Sequence, residues 1–291
     1  MPARSAACLA GCARAGALLL AWLLPLAAGA QTAIVVVRAD GTVEPVVVYE
    51  ANAGRCAPLA LISPGAGGTE KGLAYLALAL KQHGWTTLVL GHKASGPDAL
   101  RADMRGAGGL QAGLLELTAD RGAYDSRFLD ITAALTLQSG GCRDRHTVLI
   151  GHSMGAATVM LEAGAGNRLG LPAGKDRFDA YVALSPQGPG SIFPESAWRG
   201  IAKPVLLITG TRDQALEGGW QSRTKPFRDM RRGCKALAVV DGATHMNFAG
   251  VGFAKGAEDV TTRLVLAFVD GVRDGRCPQL PALAGVSLQT K

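Results

Sequence analysis

The sequence lacks the features that would divide it into several domains or mark a metal centre. No internal repeat and no Pro/Ser-rich linker interrupts its 291 residues, so one domain is expected. None of the six cysteines forms a CxxC pair and no histidine stands at ligand spacing, which argues against a metal site. No apolar run reaches the roughly 18 residues that a membrane-spanning helix needs.

Two further signatures are missing, and each absence argues against a class of ligand. The glycine-rich residues 64–69 lack the Gly-Lys-Ser/Thr ending of a phosphate-binding loop, because Lys71 is followed by Gly72. Six basic side chains lie in residues 223–235 without the interleaved aromatic residues of a nucleic-acid surface. We therefore expect no nucleic-acid partner, and we interpret the basic cluster as a solvated helix face.

Residues 1–30 have the pattern of a secretory signal peptide. A positive start without acidic residues precedes an apolar run at 17–27, and Ala-Gly-Ala at 28–30 fits a cleavage site. An uncleaved membrane anchor is the alternative. We expect an exported protein, periplasmic or secreted, without stable membrane insertion after signal removal, and with a single domain over residues 31–291.

Four cysteines remain after signal removal: Cys56, Cys142, Cys234 and Cys277. An even number of cysteines in an exported chain indicates two disulfides. Three pairings are open at this point.

Strand and helix patterns alternate along the mature chain. An Asp-Gly hairpin signal separates β-rich runs at 33–37 and 43–49. Apolar runs without alternation predict buried parallel strands, at residues 57–63, 86–90, 148–150, 179–184, 204–209 and 235–240. Helical patterns lie between or after them, at residues 73–83, 97–104, 109–117, 124–138, 156–163 and 258–272. In the helix at 124–138 an apolar stripe at helical spacing predicts core residues: Phe128, Ile131, Leu135 and Leu137. The alternation predicts an α/β fold with a mostly parallel sheet of about eight strands, flanked by helices, and an antiparallel hairpin at its N-terminal edge.

A G-x-S-x-G pattern stands between the strand at 148–150 and the helix that follows it. Its residues are Gly151-His152-Ser153-Met154-Gly155. In a nucleophile elbow of this pattern, a strained turn lifts the serine hydroxyl above the sheet. The glycines carry no Cβ, so strand and helix can approach closely. An ordinary Gly-Ser loop is the alternative.

The groups that a nucleophilic serine needs follow other strands. Asp213 comes after the strand at 204–209, and His245 comes after the strand at 235–240. In parallel sheets, functional groups gather at these carboxyl ends. Asp213 is the acid candidate, with an Asx turn as the alternative, and Asp241 is interpreted as a turn-former. The loop at 64–69 is either half of an oxyanion hole or a plain turn.

Further candidates surround this site. His92, Phe193 and Trp220 are candidates for the pocket wall. A solvated or hydrogen-bonded side chain is the alternative for His92, and a residue that anchors its loop is the alternative for Phe193. The helices predicted at 97–104 and 109–117 are candidates for a cap over the site.

On four of these segments the chain resembles the α/β-hydrolase superfamily, and within it the bacterial dienelactone-hydrolase-like and cutinase-like serine esterases. The segments are Gly151–Gly155, Thr209–Asp213, Gly242–His245 and Ser63–Gly68. The order serine, acid, histidine is that of an α/β-hydrolase sheet. The resemblance covers most of residues 57–273 and implies the α/β-hydrolase fold.

For this exported chain the resemblance also implies a hydrolase that cleaves carboxylic esters through an acyl-enzyme. Ser153 would be the nucleophile, His245 the base and Asp213 the group that orients it. The backbone amides of Ala66 and Met154 would bind the oxyanion. A small-molecule ester is the expected substrate, no metal or organic cofactor is needed, and the oligomeric state stays open. The alternatives are a peptidase or amidase with the same triad, or a catalytically silent protein that binds lipid-like ligands.

The resemblance also selects one disulfide pairing. It implies that the strands at 57–63 and 148–150 are neighbours, with the cysteines that precede them at the same edge of the sheet. The helix at 258–272 would return the chain toward the strand at 235–240. The implied disulfides are Cys56–Cys142 and Cys234–Cys277.

Overall fold

A nine-stranded mixed sheet lies between two layers of helices. This computed structural model describes residue 1 and residues 31–52, 56–138, 142, 145–253 and 255–291. The predicted signal peptide lies outside the described residues except for its first residue. No helix within the described ranges is long and apolar enough to cross a membrane.

The sheet has a parallel centre and an antiparallel strand pair at its N-terminal edge. Its strands are β1 Gln31–Val37, β2 Val43–Tyr49, β3 Leu59–Ser63, β4 Thr86–Leu90, β5 Thr147–His152, β6 Ala180–Leu184, β7 Val205–Arg212, β8 Lys235–Thr244 and β9 Val286–Thr290. Their order is β1-β2-β4-β3-β5-β6-β7-β8-β9. Strands β3 to β8 are mutually parallel, while β1, β2 and β9 pair antiparallel with their neighbours. The expected α/β architecture and N-terminal hairpin are confirmed.

The far edge of the sheet extends beyond the strand predicted at residues 235–240. Strand β8 continues to Thr244, and β9 pairs with it from Val286 to Thr290. The residues of β9 are exposed or half-buried, so this edge strand carries no apolar run. Its position depends on pairing with β8, which short-range sequence patterns do not encode.

Helices cover both faces of the sheet, which explains the continuous apolar runs. The helices are α1 Ala74–Gln82, α2 Pro97–Ala107, α3 Leu110–Ala119, α4 Arg121–Gln138, α5 Met154–Glu162, α6 Lys225–Asp229 and α7 Lys255–Arg273. In β3, Leu59 and Leu61 point to the core shared with α4 and α5, and Ala60 and Ile62 to the core shared with α1 and α7. Side chains alternate between faces along a strand, so both sets must be apolar.

Helix α4 follows its predicted apolar stripe with one exception. Ile131 is fully buried, and Phe128 and Leu135 pack against the core. Leu137, also expected in the core, is 50% exposed because it lies in the last turn before the helix ends.

Two disulfides join the chain at the expected cysteines. Cys56 is bonded to Cys142 and Cys234 to Cys277. Strands β3 and β5 are neighbours in the sheet, as the pairing Cys56–Cys142 requires. The implied pairing is confirmed.

Candidate active site

The turn between β5 and α5 holds Ser153 in a strained backbone conformation. Its φ is 57°, in the left-handed region that non-glycine residues seldom adopt. A Cβ on Gly155 would lie 1.8 Å from the Ser63 carbonyl oxygen, and one on Gly151 would lie 2.2 Å from the Gly155 oxygen. The expected close approach of strand and helix is therefore present, and it requires glycine on both sides of the serine.

Three side chains from the ends of different strands form one hydrogen-bonded chain. His245 Nε2 lies 3.0 Å from Ser153 Oγ, and His245 Nδ1 lies 2.9 Å from Asp213 Oδ1. The carboxylate accepts the Nδ1 proton, which leaves Nε2 free to accept the serine proton. The arrangement fits a nucleophile, a base and an orienting acid.

Asp213 is held as a buried carboxylate. Its residue is 0% exposed, and Thr209 Oγ1 donates to Oδ2 at 2.9 Å. Burial by itself raises the pKa of Asp213, but the hydrogen bond from His245 and the charge of Arg223 outweigh it and keep this pKa below its usual value. Asp213 therefore stays ionised next to His245.

Arg223 is the counter-charge to Asp213, and its position corrects the interpretation of the basic cluster. Its Nε lies 2.9 Å from Asp213 Oδ1, and the residue is 3% exposed. Its guanidinium donates to four backbone carbonyls, those of Ser185, Pro186, Asp213 and Gln214. A second member of the cluster, Lys235, is also buried and donates to backbone carbonyls, so neither residue belongs to a solvated face. In the sequence, neither Arg223 nor Lys235 can be told from an exposed basic residue.

His152 supports His245 from the elbow, a role that the sequence analysis missed. Its Nε2 donates to the His245 carbonyl oxygen at 3.0 Å, and the two ring centroids are 4.7 Å apart. Burial lowers the pKa of His152 to about 3, so this ring is neutral near neutral pH. Its place beside the nucleophile in the motif is the one sequence signal for it.

Two backbone amides near Ser153 have no acceptor within the part of the chain that the structure describes. Met154 is the first residue of α5, so its N–H has no partner in the helix and lies at the positive end of the helix dipole. Ala66 lies on the wall of the cavity beside Ser153. These are the two amides expected to bind an oxyanion.

Comparison with solved structures finds the same architecture elsewhere. The esterase domain of a Rhodothermus marinus protein is similar with a TM-score of 0.54 and 18% identity, over 84% of this chain and 99% of that one. Est1E from Butyrivibrio proteoclasticus is similar with a TM-score of 0.55 and 16% identity, over 83% of this chain and 99% of that one. No protein-family model and no curated protein matches the sequence.

The chain has the α/β-hydrolase fold. At these identities the likeness concerns the fold alone. The narrower resemblance to dienelactone-hydrolase-like and cutinase-like esterases stays a prediction.

In this α/β-hydrolase fold, Ser153 and His245 open into a cavity of about 660 Å³. Helices α2 and α3, the candidates for a cap, contribute residues to its wall. Most of the large side chains on the wall are apolar: Leu100, Leu110, Leu114, Leu115, Ile192, Leu216, Met246 and Val251. The cavity is therefore suited to a hydrophobic group.

The three pocket candidates from the sequence lie elsewhere in the α/β-hydrolase fold, so that prediction is wrong. Phe193 is fully buried in the core against Trp198. Trp220 packs on the same core from a separate surface hollow near β9. His92 is 1% exposed and hydrogen-bonded to Ser63 and Asp130. Apolar packing or buried partners draw each of them away from the cavity.

Asp241 was interpreted as a turn-former, and its contacts agree with that interpretation. It accepts a hydrogen bond from Thr211 Oγ1 at 2.9 Å, and the same oxygen of Thr211 accepts the Gly242 amide. These bonds brace the turn in β8.

Proposed function

We propose that this protein is an exported serine hydrolase that cleaves carboxylic esters through an acyl-enzyme. The observation that carries the proposal is the continuous hydrogen-bonded chain Ser153–His245–Asp213 at the wall of an apolar cavity. The esterase domain among the structural neighbours gives independent support.

The reaction begins when Ser153 Oγ attacks the ester carbonyl while His245 Nε2 takes the hydroxyl proton. The same histidine then gives that proton to the leaving alcohol, so the ester becomes an acyl group on Ser153. Water then attacks the acyl carbon while His245 takes a water proton, the bond to Ser153 Oγ breaks, His245 returns the proton to Ser153, and the acid product leaves. Asp213 holds the required tautomer throughout and stabilises the imidazolium.

The negative charge that develops on the carbonyl oxygen falls between the amides of Ala66 and Met154. Both donors are unoccupied by other acceptors in the described chain, so they are ready before the reaction. Loss of one donor of this kind costs about 3–4 kcal/mol of transition-state stabilisation.

The cavity wall supports esters with a hydrophobic acyl or alcohol group. Leucines of α2 and α3 line the cavity together with Ile192, Leu216 and Ser153. A hydrophobic group that enters removes apolar surface from water, at roughly 25 cal/mol per Å².

Two features support export. The disulfides Cys56–Cys142 and Cys234–Cys277 form and persist in oxidising compartments. Residues 1–30 carry the sequence pattern of a signal peptide.

A fluorophosphonate probe tests the proposal, since it labels only an activated serine. Wild-type protein and a Ser287→Ala control should be labelled and should hydrolyse a chromogenic ester, because Ser287 lies exposed on β9. Ser153→Ala should lose both properties and keep its circular dichroism spectrum.

Two outcomes contradict the proposal. A wild-type protein that is neither labelled nor active would favour a binding protein. Faster turnover of an anilide than of the matched ester would favour an amidase.

A further inference from the structure

A second set of hydrogen-bonded polar side chains lies buried behind the loop at residues 64–68. Ser63, His92, Arg127 and Asp130 are each at most 1% exposed. Arg38 contacts Asp130 at 3.3 Å and Glu44 at 3.9 Å, so its guanidinium lies beside both buried carboxylates. Burial of so many charges is costly unless each is paired and hydrogen-bonded, and the function proposed above gives this set no role.

The carboxylate of Asp130 fixes which atom donates in each hydrogen bond of this set. His92 Nδ1 donates to Asp130 Oδ2 at 2.7 Å, and its Nε2 then accepts from Ser63 Oγ at 2.9 Å. Burial lowers the pKa of His92 to about 4, which fits this neutral tautomer. Arg127 Nη1 donates to the same Ser63 oxygen at 3.0 Å. Ser63 is sealed from solvent and its oxygen is already occupied, so it cannot act as a second nucleophile.

Arg127 extends from this set to the loop that carries Ala66. Its Nη1 donates to the Pro64 carbonyl at 2.8 Å, and its Nη2 lies 3.4 Å from the Gly65 carbonyl oxygen. Its Nε donates to Ser95 Oγ at 2.8 Å, and the Ser95 carbonyl accepts the Gly67 amide at 2.8 Å. One buried guanidinium thus holds both sides of the loop.

The planarity of the peptide bond links these contacts to the Ala66 amide. In a trans peptide, the carbonyl of one residue and the N–H of the next point in opposite directions. The described chain has no cis peptide bond. The Gly65 oxygen lies 3.4 Å from Arg127 Nη2 and also accepts the Gly68 amide at 3.1 Å, so the Ala66 N–H is turned away from both, toward the cavity that Ala66 lines.

We infer that Arg127 is a positioning residue, which aims the Ala66 amide at the oxyanion by holding the Pro64 and Gly65 carbonyls. The inference rests on the proposed esterase function. Ser63 accepts from the guanidinium on its inner side, and His92 and Asp130 in turn hold Ser63 in place.

The test substitutes lysine for Arg127 and separates the transition state from substrate binding. Arg127→Lys keeps a cation beside Asp130 but cannot hold two carbonyls and Ser95 at once. The control is Arg177→Lys, which keeps a cation beside Glu162, a 2.7 Å ion pair at the far end of α5. For each protein we would measure kcat and KM on a chromogenic ester and the inhibition constant of phenylboronic acid, which forms a tetrahedral adduct with an active serine.

Arg127→Lys should lower kcat by about 10- to 100-fold, less than complete removal of a donor, with KM within about threefold of wild type. The inhibition constant of the boronic acid should rise by a similar factor, because its tetrahedral adduct needs the same amide. The Arg177→Lys control should match wild type in all three measurements.

A milder variant covers the case in which Arg127→Lys does not fold. Ser95→Ala removes one acceptor of the guanidinium and should lower kcat by at least about threefold. A folded Arg127→Lys or Ser95→Ala protein with wild-type kcat and inhibitor affinity would overturn the inference. A wild-type protein without turnover or fluorophosphonate labelling would instead remove the proposed function itself.

Discussion

Replacement of Arg223 by methionine should destabilise the fold and the active site together. Methionine fills much of the arginine volume but leaves Asp213 as an unpaired carboxylate in a site that is 0% exposed. Breaking a buried ion pair by removing one partner costs roughly 3–5 kcal/mol. The four backbone carbonyls that accept from the guanidinium also lose their donor. We expect the free energy of unfolding to fall by about 4 kcal/mol, a large part of the 5–15 kcal/mol that is typical of a domain.

The same change should reduce catalysis in the molecules that remain folded. The carbonyls of Asp213 and Gln214 belong to the loop that presents the acid, so their release allows His245 to drift. A displacement of about 1 Å in such a site lowers turnover roughly 10²-fold. Urea unfolding followed by fluorescence of the buried Trp85 and Trp198 measures stability, and ester hydrolysis in the folded baseline measures kcat.

Two further variants make this prediction specific. Arg199→Met breaks a 3.0 Å pair with Asp229 in which the arginine is 70% exposed, so it should cost less than about 1 kcal/mol. Arg223→Met combined with Asp213→Asn should be more stable than Arg223→Met alone, since no uncompensated charge remains. An Arg223→Met protein within about 1 kcal/mol of wild type would refute the reasoning.

Other expected outcomes concern pH, disulfides and the elbow. Burial lowers the pKa of His92 to about 4 and of His152 to about 3, so at pH 5 only the unfolded chain takes up these protons. Between pH 7 and pH 5 the free energy of unfolding should therefore fall by about 2 kcal/mol per histidine, and an unchanged loss in His152→Gln would contradict this. Serine variants that remove Cys56–Cys142 should lose about 0.6 kcal/mol more of the free energy of unfolding than those that remove Cys234–Cys277, as measured by chemical denaturation. The reason is that the first disulfide closes a longer loop, with a sequence separation of 86 against 43. Gly155→Ala should yield little folded protein, because its Cβ would lie 1.8 Å from the Ser63 oxygen. Gly256→Ala in α7, with no atom within 4 Å of its Cβ, should melt at or above the wild-type temperature.

Short stretches of sequence predict most of the strands of the fold. Apolar runs located the six parallel strands, and an Asp-Gly turn located the hairpin of β1 and β2. These signals are local, because a strand covered on both faces must be apolar at every position. Strand β9 gave no such signal, since it is an edge strand without buried residues.

The same local signals located the three residues of the candidate triad. Ser153 was found from its motif, and Asp213 and His245 from their positions just after strands. The carboxyl ends of parallel strands meet at one edge, so sequence order alone brings these side chains near one another. The disulfide pairing needed the resemblance to a known sheet order as well.

Only the tertiary structure decided which polar side chains are buried around that site. No local sequence feature separates Arg223 from the exposed arginines near it. Arg127 lies on a helix whose other basic and acidic residues are mostly in contact with solvent. Their burial depends on which helix packs over which strand end, between segments 10 to 64 residues apart. The pocket wall depends on the same packing, so His92, Phe193 and Trp220 were placed wrongly. The sequence determined which groups stand at the carboxyl edge of the sheet, and the packing of the helices determined which charges hold them there.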